Sequence, residues 1–385
     1  MEQTNMNQIG NKRIESIDAL RAFALLGILV VHISQLYNYT FNETNDFSYF
    51  SSVGLYMIDF IYKYFNGRFV ILFSILFGMS FYLILRNPNY SVKKFIWRCV
   101  LLMLFGLFNK LFYTTDILLW YGVNGLILAI LPIRKLSPMA LLSISFLLFL
   151  MSYVPFLDIT RYFDYSGAFY HRYVVGEGLQ GIISYPYLHV LFDDFFLFWG
   201  NTTSTLSYFV FGYFIGRSGL ANRLDQVISL KSVSLFIIVT LLVFGLYRLL
   251  DYPSPLKKVY YLASALLYAN LFLYTFSKLR DSMTIMTSFG RLGLTNYSVQ
   301  NIFFPIVLST FLLPMQLSFE CIFVISLLFY CIQIYYSNEW LKVYRFGPME
   351  YIWRVLTNFQ YVSNRHNLSA CDDRRNYNAH ERVDK

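Results

Sequence analysis

The chain has 385 residues, of which 57% are hydrophobic, 20% aromatic and 14% charged, with a mean hydropathy of +0.48 and a formal charge of +9. A typical soluble domain carries roughly 25% charged residues; a chain with 39 Phe and 33 Tyr has too little polar surface to cover a water-soluble globule. Disorder, a collagen repeat and a disulfide scaffold are excluded by the same composition.

Crossing a bilayer core takes about 20 mostly apolar residues as helix, because lipid offers no partner to open backbone groups. Against that ruler ten runs qualify in chain order: 17–36, 52–85 (with a polar break at Asn66-Gly67-Arg68), 95–112, 115–132, 137–156, 191–216, 232–250, 257–277, 290–313 and 317–337. The alternating pattern of an outer-membrane barrel is absent. The first run is long and lacks a small-residue cleavage site, so it is expected to stay as the first span. These features predict an all-α, polytopic transmembrane helix bundle of about ten spans. It forms a single domain over 1–364, followed by a disordered cytoplasmic tail over 365–385, where the composition turns polar without periodicity. The segment 157–190 is aromatic-rich and is expected to cap the outer surface of the bundle.

Lys and Arg set the orientation. With the N-terminus cytoplasmic, the inner segments up to Arg291 hold 14 of them and the stretch after 338 holds eight, against six in the outer loops. The asymmetry predicts that both termini are cytoplasmic. The net charge then reflects topology and attraction to anionic head groups. With no basic domain outside the membrane, the expected partner is the lipid bilayer rather than a nucleic acid. Cys99, Cys321, Cys331 and Cys371 make no metal spacing and read as small hydrophobes, so no metal is expected.

Ionisable side chains inside a span are costly and mark candidate sites. In the first run Asp18 and Arg21 stand at i, i+3, and Arg21 to His32 is eleven residues, within roughly 20° of three full turns. All three share one stripe, extending about 16 Å along the helix beyond Arg21. Facing lipid, such a stripe would be prohibitive, so it is expected to face the bundle interior. The plainer alternative is an Asp18–Arg21 pair at the interface, with Arg21 snorkelling and His32 at the outer head-group level.

The run Arg13-xxxx-Asp18-xx-Arg21 followed by Ala22-Phe-Ala-Leu-Leu-Gly-Ile-Leu-Val resembles the opening motif of the YeiB-like family of bacterial integral membrane proteins. Phe69-Val-Ile-Leu-Phe-Ser-Ile-Leu-Phe-Gly78, Asp116-Ile-Leu-Leu-Trp-Tyr121, Gly290-Arg-Leu-Gly-Leu-Thr-Asn-Tyr297 with Gln300, and Phe346-Gly-Pro-Met-Glu-Tyr-Ile-Trp-Arg354 resemble its further signatures in the same order. That family is similar to transmembrane acyltransferases such as heparan-α-glucosaminide N-acetyltransferase and the bacterial envelope O-acetyltransferases. The latter share an Arg-x10-His spacing that Arg21 and His32 reproduce. This chain departs from the YeiB-like pattern at His32, usually Asn, at Asn109, commonly His, and at Ala22, usually Gly. The resemblance implies transfer of an acyl group from cytoplasmic acyl-CoA, as donor substrate, to an envelope polymer, a lipid-linked acceptor or a peptide acceptor beyond the membrane.

Acyl transfer needs a base for the acceptor's proton and a donor for the oxyanion. His32 suits the base, or could itself carry the acyl group. Arg21, Lys94 and Arg98 could hold the phosphates of acyl-CoA; for Lys94 and Arg98 the positive-inside bias is the plainer reading. Asp59, with Glu43 and Asp46, could orient His32 or bind the acceptor. Asp116 could cap the following helix or serve the site. Thr295, Asn296, Gln300 and Asn301 form a polar stretch suited to interhelical hydrogen bonding or to lining a substrate path. Glu350 and Arg354, at i, i+4, are expected to form an ordinary helix ion pair that docks a cytoplasmic amphipathic helix. The runner-up function is a transporter, or an export or immunity accessory for a peptide or small molecule; a non-catalytic scaffold is a third.

Overall fold

Asp18, Arg21 and His32 interrupt an otherwise apolar run, and that run folds as one helix, α1, over Glu15–Glu43. The computed structural model describes residues 14–43, 51–87, 90–113, 116–153, 203–307, 315, 317–359 and 363–365. The cap expected over 157–190, the tail after 365, the first part of the run 191–216, and Cys371 lie outside the described residues.

The long run 52–85 divides where the sequence turns polar. Helix α2 spans Ser52–Tyr64 and α3 spans Arg68–Leu85, separated by Gly67 with φ at +80°, a conformation that costs glycine little. Next come α4 (Val92–Lys110), α5 (Leu118–Ile130), α6 (Pro138–Met151) and α7 over 203–217, followed by α8 (Leu230–Leu249) and α9 (Ser254–Lys278). The run 290–313 also begins with a break, at Leu292, between the short α10 (Ile285–Arg291) and α11 (Gly293–Val307). Helix α12 (Phe319–Val343) and the amphipathic α13 (Pro348–Asn358) complete the helices of seven or more residues among the described residues. No strand occurs among the described residues, apart from an isolated bridge between Tyr344 and Arg365.

Helix α1 is the hub. It packs against α2, α3, α9, α10, α11 and α12, and Ala19, Ala22, Ala24, Leu25 and Ile28 are buried. Helices α4 and α5 form one hairpin and α8 and α9 another. The periphery reverses the rule of water-soluble proteins: α8 buries 11% of its apolar window and presents Leu235, Ile238, Leu241 and Leu242 outward. A contiguous apolar exterior of that kind suits lipid and not water.

Five stretches of the described residues are long and apolar enough to cross a membrane: Glu15–Tyr37, Ser52–Leu85, Leu230–Leu249, Pro255–Lys278 and Phe319–Val343. Helices α5 and α6 are apolar but shorter, at 13 and 14 residues. The described chain is therefore an all-helical bundle with five candidate spans.

Candidate functional site

Asp116 joins the end of the α4–α5 hairpin to the rest of the bundle. Helix α4 ends at Asn109 and Lys110, and the turn closes through Phe112 and Tyr113, whose amides donate to the Asn109 carbonyl. Asp116 then accepts the Leu118 amide on Oδ1 at 2.8 Å, which caps the start of α5. Its other oxygen, Oδ2, accepts Asn109 Nδ2 at 3.2 Å and Asn301 Nδ2 at 3.0 Å. One carboxylate oxygen thus caps α5, and the other ties Asn109 to Asn301. The group is 1% exposed, and its satisfied lone pairs are what allow a carboxyl to be held so deep.

Asn301 is the pivot. Its Nδ2 faces Asp116, so its Oδ1 faces His32 Nδ1 at 3.2 Å. Because an amide oxygen accepts, Nδ1 of His32 carries the proton and donates, and Nε2 is left with the basic lone pair. The ring lies 4.3 Å from that of Tyr113 and 6.3 Å from that of Tyr297, and Tyr113 donates to Gln35 Oε1 one turn along α1. Tyr297 in turn accepts the Ile117 amide beside Asp116. Asn109 Nδ2 also reaches Ser298, while its Oδ1 has no partner among the described residues.

The stripe expected on α1 does face inward: Asp18 is 3% and His32 9% exposed, with Arg21 half-buried. It divides into two sites. Arg21 pairs with Asp18 at 2.5 Å and donates to Ser80 on α3 at 2.7 Å. The buried Leu25, Ile28 and Leu29 occupy α1 between that pair and His32. A separate set of polar contacts runs along α11. At its start Thr295 Oγ1 donates to Glu350 of α13; further along, Asn296 Nδ2 donates to Ser337, Gln333 to the Asn296 carbonyl, and Gln300 to Gln333 Oε1 at 2.8 Å. Ser298 and Asn301, on another face of α11, belong to the Asp116 and His32 cluster.

Glu350 turns both carboxyl oxygens onto the start of α11, accepting the amides of Leu294 and Thr295 at 2.8 and 3.1 Å. It supplies a cap from another helix to donors that have no acceptor within their own. Desolvation by this burial raises its pKa above the ordinary 4.5, and the hydrogen bonds it accepts offset part of the rise. Arg354, expected near it, lies 4.0 Å over the Phe346 ring.

The remaining candidates stand apart from the His32 cluster. Asp59 is exposed on α2. Lys94 is exposed, its Nζ 6.0 Å from the centroid of the Tyr90 ring. Arg98 stacks on Trp353 of α13 at 4.3 Å, while Trp353 Nε1 donates to the Arg98 carbonyl, so this cation docks the amphipathic helix onto α4. The side chains of Glu43 and Asp46 lie outside the described residues. Among the described residues no group of three or more His, Cys, Asp or Glu could hold a metal ion. Sequence reasoning missed Ser80, Gln35 and Tyr113 as participants. Gln35, one turn after His32, was the legible signal; Ser80 and Tyr113 carried none within their own runs.

Comparison with known proteins finds one family match and similar bacterial proteins. Residues 215–360 match a family described as "Protein of unknown function (DUF418)". Over 353 residues the chain is 27% identical to an uncharacterized 39.9 kDa protein of the amylase 3' region in Bacillus acidopullulyticus, covering 90% of this chain and 94% of that protein. Over 384 residues it is 25% identical to the uncharacterized protein YxaH of Bacillus subtilis (strain 168), with the same coverage. Together these similarities support a DUF418, YeiB-like family. No solved structure matches the chain.

Proposed function

We propose that the protein is a multi-pass transmembrane acyltransferase of a bacterial cytoplasmic membrane, with about ten spans and both termini cytoplasmic. It moves an acyl group from cytoplasmic acyl-CoA to an extracytoplasmic or envelope acceptor. The observation that carries this reading is the His32–Asn301–Asp116 series. As the acceptor hydroxyl or amine bonds to the acyl carbon and the donor's thioester C–S bond breaks, the Nε2 lone pair of His32 takes the acceptor's proton and passes it on, the CoA leaving as its thiol. Asn301 holds the tautomer and ring orientation, and Asp116 holds Asn301. Arg21, fixed by Asp18 and Ser80, supplies a cation toward the cytoplasmic end of α1. Lys94 and Arg98, on the first two turns of α4, are the further cations for the donor's phosphates.

A second reading, passage of a small polar solute or peptide, is favoured by the polar groups of α11: Thr295, Asn296 and Gln300 toward α12 and α13, and Ser298 and Asn301 toward the Asp116 and His32 cluster. Purified protein in proteoliposomes, supplied with labelled acetyl-CoA inside and an amine or sugar acceptor outside, separates the two. Transfer that His32→Ala abolishes without loss of expression supports the enzyme. Transfer unchanged in His32→Ala, or solute movement with no acyl donor present, supports passage.

A further inference from the structure

The break between α2 and α3 holds a second polar feature that the acyl-transfer reading does not use. Helix α3 starts at Arg68 with no side-chain cap on its first turn. The Arg68 amide bonds the Phe65 carbonyl and the Ile71 amide bonds the Gly67 carbonyl, leaving the amides of Phe69 and Val70 without an acceptor among the described residues. The Arg68 side chain is 1% exposed and folds back over the break, Nη1 donating to the Asn66 carbonyl at 2.8 Å. Its Nε and Nη2 have no hydrogen-bond partner, and no carboxylate pairs with it, among the described residues.

A buried guanidinium is ordinarily met by a carboxylate or phosphate across its planar fork. Here its faces are occupied by aromatic rings of α9, Tyr261 at 3.7 Å and Tyr260 at 5.0 Å from the guanidinium carbon to the ring centroids. Those contacts favour the charge through the ring quadrupoles but leave the in-plane donors unmet. Lys257 brings a second cation to 5.7 Å from the Tyr261 centroid. Gly67 belongs to the same corner: a Cβ there would come within 2.9 Å of the Tyr261 ring, so the break sits flush against α9. Two amides at a helix start and two guanidinium donors without acceptors are the kinds of donor with which helix N-termini and arginines hold anions.

We propose that this corner binds a phosphate oxyanion, with Arg68 Nε and Nη2 as the fork and the amides of Phe69 and Val70 as further donors. The source is a phospholipid head group or free phosphate. The site is independent of His32 and of any acyl transfer.

The test uses the full chain, delipidated in detergent, with its unfolding temperature followed during titration by three probes: inorganic phosphate, phosphatidylglycerol in mixed micelles, and phosphate-free diacylglycerol. The expected result is a saturable rise with a phosphate-bearing probe and none with diacylglycerol. Inorganic phosphate acting alone identifies a free anion as the source, and phosphatidylglycerol acting alone identifies a head group. Arg68→Met should weaken the effective probe about ten- to hundred-fold, the loss of charge-assisted hydrogen bonds, and Arg68→Lys, which keeps the charge without the fork, should fall between. If Arg68→Met does not fold, the wild-type titration and Arg68→Lys decide. No saturable effect on the wild type, or wild-type affinity in every folded Arg68 variant, overturns the proposal.

Discussion

Asn301 Nδ2 lies 3.0 Å from Asp116 Oδ2 although 185 residues separate them, and the opposite edge of the same amide meets His32 Nδ1 at 3.2 Å. One side chain therefore transmits the fixed carboxylate at the head of α5 to the tautomer of a histidine on α1. Asn301→Ala frees the imidazole to carry its proton on either nitrogen. On the proposed acyl transfer, the expected outcome is a fall in kcat of about 10²-fold, the lower end of what a positioned base contributes, with KM little changed. Steady-state kinetics in proteoliposomes check it; a rise in KM at constant kcat would contradict the tautomer assignment.

Asp116→Asn changes shape very little and hydrogen bonding a great deal. An amide can still accept from Leu118 on Oδ1, but its NH₂ then confronts the Nδ2 donors of Asn109 and Asn301. Donors left facing donors in a buried site cost about 1–3 kcal/mol. Detergent-solubilised Asp116→Asn should unfold at a distinctly lower temperature than the wild type, with Asn301→Ala partly relieving the defect in the double variant.

Glu350 sets a pH dependence. Its folded pKa is raised above the ordinary 4.5 by burial, so over the interval above that value the folded protein keeps a proton that the unfolded chain has released. Stability then decreases as pH rises through the interval and levels off once the folded carboxyl has also ionised. Trp97 and Trp353 report on the seat of α13, since Trp97 Nε1 donates to Leu356 and Trp353 Nε1 to Arg98. Their fluorescence-detected unfolding should show the decline, and Glu350→Gln should flatten it.

Gly290 is where α10 touches α1. A Cβ at this position would fall 1.8 Å from the Asp18 carbonyl oxygen, backbone that cannot yield as a side chain can. Gly290→Ala should therefore cost about 1–3 kcal/mol, the range for overpacking, and displace the Asp18–Arg21 pair. Thermal unfolding measures the first effect. A variant as stable as the wild type would show that the two helices separate freely.

Much of the architecture was legible because it rests on run length and helical period. The single run 17–36 became α1, and the inward stripe of Asp18, Arg21 and His32 is a property of 3.6 residues per turn. The break at Asn66-Gly67-Arg68 was visible too, though not the burial of Arg68. The amide stretch of α11 was legible as polar, while its several partners were not. Gln300 meets Gln333, Asn296 meets Ser337, and Asn301 meets His32 and Asp116. Glu350 shows the same limit: a spacing that suits a local pair with Arg354 is overridden by the open amides of α11.

By itself the sequence determined that this chain is a set of apolar helices with a few ionisable groups turned from lipid. Both follow from the cost of open backbone and charge in hydrocarbon, which each segment meets separately. Only the tertiary structure decided that Asp18 and Arg21 form one site and His32 another, and that α11 joins His32 to Asp116. Helical periodicity assigns a side chain to a face, but the group it meets there depends on how separate helices cross.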